Sequence, residues 1–191
     1  RLLLANGNAA QNSTVSNTVA DGLGFSGITS ATIGGLAGSG GFALTNTAGA
    51  AVTLTAGGNN ANTEFSGTLT GAGGVLHKAG TGTLTLSGTV TGLNNLDISS
   101  GVGSLAVTGG NVTSTNLQVN AADGVIVISA GTVNVPTDAR ISASGGAVSI
   151  SGGTHHFNKI VVANGSGTAN ATVIVSGNAQ MFQDGVLTTG N

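Results

Sequence analysis

Cysteine, tryptophan and tyrosine do not occur in these 191 residues, proline occurs once, and charged side chains make up only 5% of the chain. Each absence excludes a class of protein. Without cysteine there is no disulfide framework, no thiolate metal site and no cysteine nucleophile. Ordinary domains carry roughly 25% charged residues; here four basic and six acidic side chains leave a net charge of −2. That balance excludes a basic nucleic-acid surface, a polybasic membrane patch and an acidic tail. Disordered chains couple low hydrophobicity to high charge, whereas 39% of this chain is hydrophobic and its mean hydropathy is +0.35. Apolar runs reach only four or five residues, as in Val125-Ile-Val-Ile128, far short of the roughly 20 that a membrane-spanning helix needs. Arg1-Leu-Leu-Leu-Ala5 is too short for the apolar region of a signal peptide, so the chain is expected to start after processing or inside a longer precursor.

Glycine, threonine, valine, serine and asparagine dominate instead, all of them poor helix formers. Aliphatic and hydroxyl residues alternate in Val52-Thr-Leu-Thr55, Thr83-Leu-Thr-Leu86 and Val148-Ser-Ile150, the period of a strand with one buried face. From residue 96 onward such strands recur in triplets. Leu96–Ile98, Leu105–Val107 and Val112 form one set, and Leu117–Val119, Val125–Ile128 and Val133–Val135 the next. Ala139–Ile141, Val148–Ile150 and Thr154–Phe157 follow, then Ile160–Val162, Thr172–Val175 and Ala179–Phe182. Sets starting about 21 residues apart signal a solenoid. The expected fold is all-β: a right-handed parallel β-helix (β-solenoid) with three short strands per rung, about nine rungs and a length of about 40 Å at ~4.8 Å per rung. A two-sheet sandwich also spaces short strands by about 8–12 residues, but it would usually carry more aromatic core and more outward charge. Residues 1–191 are read as one continuous solenoid, with a repeat-like half over 1–95 and regular rungs over 96–191. Leu84, Leu86, Val148 and Ile150 should then point inward, and Thr83, Thr85 and Ser149 outward.

In the first half, Leu36-Ala-Gly-Ser-Gly-Gly-Phe42 matches Leu69-Thr-Gly-Ala-Gly-Gly-Val75 at an offset of 33, and Val52-Thr-Leu54 matches Leu84-Thr-Leu86 at 32. The Gly pairs are expected at corners. Phe65-Ser-Gly-Thr-Leu-Thr-Gly-Ala-Gly-Gly-Val-Leu-His-Lys-Ala-Gly-Thr-Gly-Thr-Leu-Thr-Leu-Ser-Gly88 resembles the autotransporter-associated β-strand repeat, also called the passenger-associated transport repeat. Its Gly-Gly-aliphatic step, Lys78-Ala-Gly80 and Gly82-Thr-Leu-Thr-Leu-Ser-Gly88 carry the likeness, and 33–57 is a weaker copy. The chain departs from the family after Gly88, where Thr89-Val-Thr-Gly92 replaces the usual Asn and Tyr. The resemblance implies a secreted or surface-exposed bacterial protein, often a passenger exported through the outer membrane. It brings no catalytic residues. The end, Gly185-Val-Leu-Thr-Thr-Gly-Asn191, lacks the aromatic-girdled strands of a translocating barrel.

Since some β-helix proteins act on polysaccharides, paired carboxylates are the first chemistry to seek. Asp21, Glu64, Asp97, Asp123, Asp138 and Asp184 are all more than ten residues apart. One rung on from Asp97 stands Gln118, and one rung on from Asp138 stands Lys159. Asp123-Gly124 reads as a turn, and Asp138 with Arg140 as a surface ion pair. His155 and His156 should point to opposite sides of a strand and so cannot chelate one metal, while His77 lies beside Lys78 without a third ligand at a useful spacing. The Gly-rich stretches precede strands and lack the Gly-Lys-Ser/Thr of a phosphate loop. Sequons at Asn12, Asn111, Asn164 and Asn170 are no more than the composition produces. Ice binding would need Thr-x-Thr pairs at the rung period, yet Thr53/Thr55, Thr68/Thr70, Thr83/Thr85 and Thr89/Thr91 are spaced by 15, 15 and 6.

No catalytic, cofactor or metal residue is therefore assigned. With Ile126/Ile128, Val148/Ile150 and Val173/Val175 inward, Ala106, Val125, Val127, Ala147 and Ile174 face out as an apolar strip, the expected lateral interface. Unpaired end rungs with few charges, no capping helix and the one proline, Pro136, in the interior favour head-to-tail stacking of copies. The expected role is a non-enzymatic extracellular or bacterial cell-surface building block whose partner is itself. The alternative is a spacer or adhesive segment of a surface passenger that meets a cell surface or glycan. Ice binding and polysaccharide cleavage are remote alternatives.

Overall fold

A computed structural model describes residues 1–162, 170–185 and 187–189, the last three as backbone. Among the described residues, every regular element is a β-strand and every pairing between these strands is parallel. The strands stack as a β-solenoid of about eight turns with roughly 21 residues per turn, one fewer turn than expected.

Three faces run along the rod. The second is the most regular, a six-stranded sheet built from Thr63–Phe65, Thr83–Leu86, Ser104–Val107, Val125–Ile128, Ala147–Ile150 and Thr172–Val175. The third face, which holds Val90, Val112 and Val133, and the first, which holds Leu96, Leu117 and Ala139, are joined more intimately than the sequence pattern suggests. The expected separate strands Val112 and Leu117–Val119 belong to one strand, Asn111–Val119, and Thr132–Ile141 and Thr154–Val162 likewise turn the corner unbroken. Register shifts mark the bend, between Thr113 and Asn116 in one pair and between Val135 and Asp138 in the next. A bulge bends a strand without ending it. Pro136 sits within that bend, where a missing N–H is tolerated.

Alternation sets the core as expected. Leu84 and Leu86 are buried, and Val148 and Ile150 with them, while Thr83, Thr85 and Ser149 face outward. Consecutive rungs align Leu84 with Leu105, then Ile126, Val148 and Val173. Phe25, Phe42 and Phe65 stack through the first turns, with Phe42 and Phe65 edge to face at 5.5 Å between ring centroids. Val175 departs from the expectation. It lies in the inward register with Ile150 but is 46% exposed, because its strand is the last of the six and no further strand of that sheet covers it.

Glycines form the corners, as the Gly pairs suggest. At Gly110, φ is +66° and an added Cβ would overlap the carbonyl oxygen of Gly88; at Gly88 it would overlap that of Gly67. Rungs approach there too closely for any side chain. The 33-residue sequence repeat, in contrast, does not follow the fold. Leu69 pairs with Phe42, not Leu36, and Leu54 lies on the first face while Leu84 lies on the second. An offset of 33 is not a whole number of turns, so matched segments land on different faces.

Candidate functional site

Outward positions on the first face form ladders along the rod. One runs Thr55, His77, Asp97, Gln118, Arg140; the other runs Val75, Asn95, Asn116, Asp138, Lys159. His77, Asp97, Asp138, Arg140 and Lys159 gather here. Asp97 is 1% exposed, yet its carboxylate is well partnered. Oδ1 lies 2.6 Å from His77 Nδ1, and Oδ2 accepts from Asn95 Nδ2 at 2.6 Å and Asn120 Nδ2 at 3.4 Å. The hydrogen bond to Asp97, aided by its charge, holds the His77 pKa above its usual value of 6.5, with burial opposing. Thr55, His77 and Asp97 occupy successive rungs in the order hydroxyl, imidazole, carboxylate. Among the described residues, no hydrogen bond joins Thr55 to the ring, so the ring's oriented nitrogen has no nucleophile attached.

The sequence reading missed this cluster because it counted 21 residues forward from Asp97. Val75 pairs with Asn95, a turn of only 20, and the same shortened turn brings His77 to Asp97. The rung neighbours and the turn read for the other carboxylates hold. Asp97 stands opposite Gln118 and Asp138 opposite Lys159, and Arg140 Nη2 donates to Asp138 Oδ2 at 2.9 Å. Asp123 adopts φ +56° at the expected turn. Among the described pairs, no carboxylate stands opposite another. Among the described residues, no group of three His or acidic side chains could hold a metal ion.

Polar side chains also point inward, His155 and Lys78 among them, which alternation of residue type alone did not reveal. His155 is fully buried while His156 is exposed, the expected opposite orientations. His155 Nδ1 accepts the Val133 N–H at 3.2 Å, and Nε2–H donates to Gly152 O at 2.7 Å. His156 reaches Asp184 across the surface at 2.5 Å. Lys78 continues an inward column between Ala56 and Ile98 and is 1% exposed. Its ammonium donates to the carbonyls of Ala79 at 2.5 Å and Gly80 at 3.3 Å. Desolvation lowers its pKa from 10.5. An added Cβ at Gly103 would come within 2.7 Å of Nζ, so the glycine corner makes room for the amine.

The Thr-x-Thr pairs disperse over three faces. Thr53/Thr55 lie on the first, Thr83/Thr85 on the second, and Thr68/Thr70 stack beneath Thr89/Thr91 on the third. The second face gathers the expected lateral strip: Ala106, Val127 and Ile174 lie in one outward column, and Val125 and Ala147 in the other. Four of them are half-buried by their neighbours, whereas Ile174 is 53% exposed. The sequon at Asn164 falls outside the described residues.

Against protein-family models, curated proteins and solved structures, the chain finds no match.

Proposed function

We propose that this chain is a non-enzymatic structural rod of the bacterial cell exterior, lengthened by stacking copies end to end. One observation carries the reading: among the described residues, an interior column ends on an exposed aliphatic side chain at each end of the rod. Leu2 stands in line with buried Leu23 yet is 45% exposed, and Val175 stands in line with buried Ile150 at 46%. The strand edges at those ends, Leu2–Leu4 and Ala10–Ser16 at one and Thr172–Val175 and Gln180–Gln183 at the other, each have a partner on one side only. Parallel rungs and an apolar interior can continue across such a junction with the pairing used inside the rod, and a head-to-tail contact of that kind propagates instead of closing. The exterior location rests on the likeness of residues 65–88 to an export-associated repeat.

A second reading has its own support. Residues 65–88 form a full turn in unbroken register with the rungs on either side, as a spacer segment of a longer surface passenger would. The test is the association state of the purified 191-residue chain by sedimentation and negative-stain microscopy. Filaments of constant width are expected, abolished by Leu2→Lys or Val175→Lys. A monomer unchanged over a hundredfold range of concentration would refute end-to-end stacking and leave the spacer reading.

A further inference from the structure

The second face presents outward side chains whose size alternates from rung to rung. Thr83 and Thr85 form a ridge, and Ser104 and Ala106 form the groove beside it. Val125 and Val127 make the next ridge, Ala147 and Ser149 the next groove. Thr172 and Ile174 close the series as a third ridge. These five rungs carry no charged outward residue, and their register runs without a shift. Glu64, which accepts from Ser87 Oγ at 2.6 Å, bounds the strip at its first strand. The first face, with its His77, Asp97, Asp138, Arg140 and Lys159, contrasts sharply.

We infer that this strip is a self-complementary seam that receives the same strip of a second copy, running antiparallel. The inference rests on the filament reading above for its stability, and the geometry selects the arrangement. Two parallel copies facing each other at the same height would set ridge on ridge, and a one-rung offset that avoids this would make the contact heterologous. An antiparallel pair related by a two-fold axis along the strand direction can set every ridge in a groove, in the dry interdigitated manner of paired sheets. Centred between the Val125 and Ala147 strands, Val127 of one copy meets Ser149 of the other, and Val125 meets Ala147. Ala106 then meets Ile174, and Glu64 stays outside. The contact is isologous, each copy supplying both ridges and grooves.

Its size decides when it acts. Four rungs at about 4.8 Å and two outward residues per strand cover roughly 200 Å² per copy, well under the ~800 Å² per partner of a stable complex. Single rods therefore pair only fleetingly. Rods joined end to end present the seam once per copy, and the repeated weak contacts sum along the filament. Lateral pairing is thus conditional on lengthening.

The native chain has no cysteine, so disulfide trapping reports the seam directly. Val127→Cys and Ser149→Cys chains, mixed at about millimolar concentration and oxidised, should yield the mixed dimer at least tenfold above Val127→Cys with Thr91→Cys, a third-face control. This arm needs no filament. A mixed dimer at the control level would overturn the seam whether or not filaments form. Crosslinks joining Val127→Cys to Leu3→Cys instead would show that the strip receives a rod end, which also overturns it. In microscopy, parent filaments should lie in pairs and Val127→Lys filaments singly at unchanged length. Unpaired parent filaments would refute the conditional part, and the absence of any filament would refute the stacking reading while leaving the crosslink result to stand.

Discussion

Replacing Lys78 by methionine tests how a cation survives inside an apolar rod. Lys78 is 1% exposed and its ammonium has two carbonyl acceptors, Ala79 O and Gly80 O. Hydrogen bonds from a charged donor contribute about 1.5–3 kcal/mol each, so the pair supplies roughly 3–6 kcal/mol. Against this stands the effective desolvation penalty of one ion, several kcal/mol. The two nearly cancel, and methionine fills a similar volume. Lys78→Met is therefore expected to unfold within about 2 kcal/mol of the parent at pH 7. Lys78→Ala removes the same charge but also empties the site, and a change of that kind costs a further ~2–5 kcal/mol.

The pH dependence supplies an independent readout. Burial puts the folded pKa of Lys78 below 10.5. Between that folded value and the unfolded one, the unfolded chain binds the extra proton, so stability rises with pH across the window. Urea unfolding of parent and Lys78→Met between pH 7 and 11 should show this rise in their difference, cancelling the other groups that titrate there. Equal losses for methionine and alanine would mean that the carbonyl contacts, not packing, dominate the site. A difference that is flat with pH would mean that the amine is not held in a desolvating environment.

The His77–Asp97 clasp has the opposite sign. A histidine pKa raised by its carboxylate partner gives stability fully present below about pH 6.5 and lost as pH climbs through the folded value. His77→Gln should remove that downward slope in midpoints measured from pH 5.5 to 9, and an unchanged slope would refute the clasp. Gly110→Ala should cost more than about 3 kcal/mol, because positive φ and the overlap with the Gly88 carbonyl act together. Gly49→Ala, with φ +78° and nothing within 4 Å, should cost only the ~1 kcal/mol of backbone strain; equal costs in thermal melts would refute the close approach at the corner. Leu86→Thr, on a fully buried position, should cost about 2–4 kcal/mol, whereas Thr85→Val beside it should change calorimetric stability by under ~0.5 kcal/mol.

The solenoid and its register were legible in the sequence because both rest on alternation. Leu84, Leu86, Val148 and Ile150 could not exchange faces with their hydroxyl neighbours without burying a hydroxyl per rung. The bends from third to first face were less legible. A strand that turns a corner through a bulge, as at Val135 to Asp138, keeps its ladder on both sides while shifting the count by one. Such a shift leaves no mark in composition.

The same small slips explain why the polar sites stayed hidden. Rung offsets run from 20, where Val75 meets Asn95, to 22, where Val133 meets His155, around these sites, and reach 27 where Phe42 meets Leu69. A side chain's face is fixed by parity along its own strand, but its rung neighbour is fixed by the length of the intervening turn. Parity therefore placed His155 and His156 on opposite sides without saying which was inside. The interior His155 is tolerated because the Val133 N–H and Gly152 carbonyl stand within its reach, and Lys78 because its corner is glycine. Both partners are backbone groups, which every residue type carries. Polar interior positions of a solenoid are thus chosen by corner geometry, and they become readable only once the turns have been counted one by one.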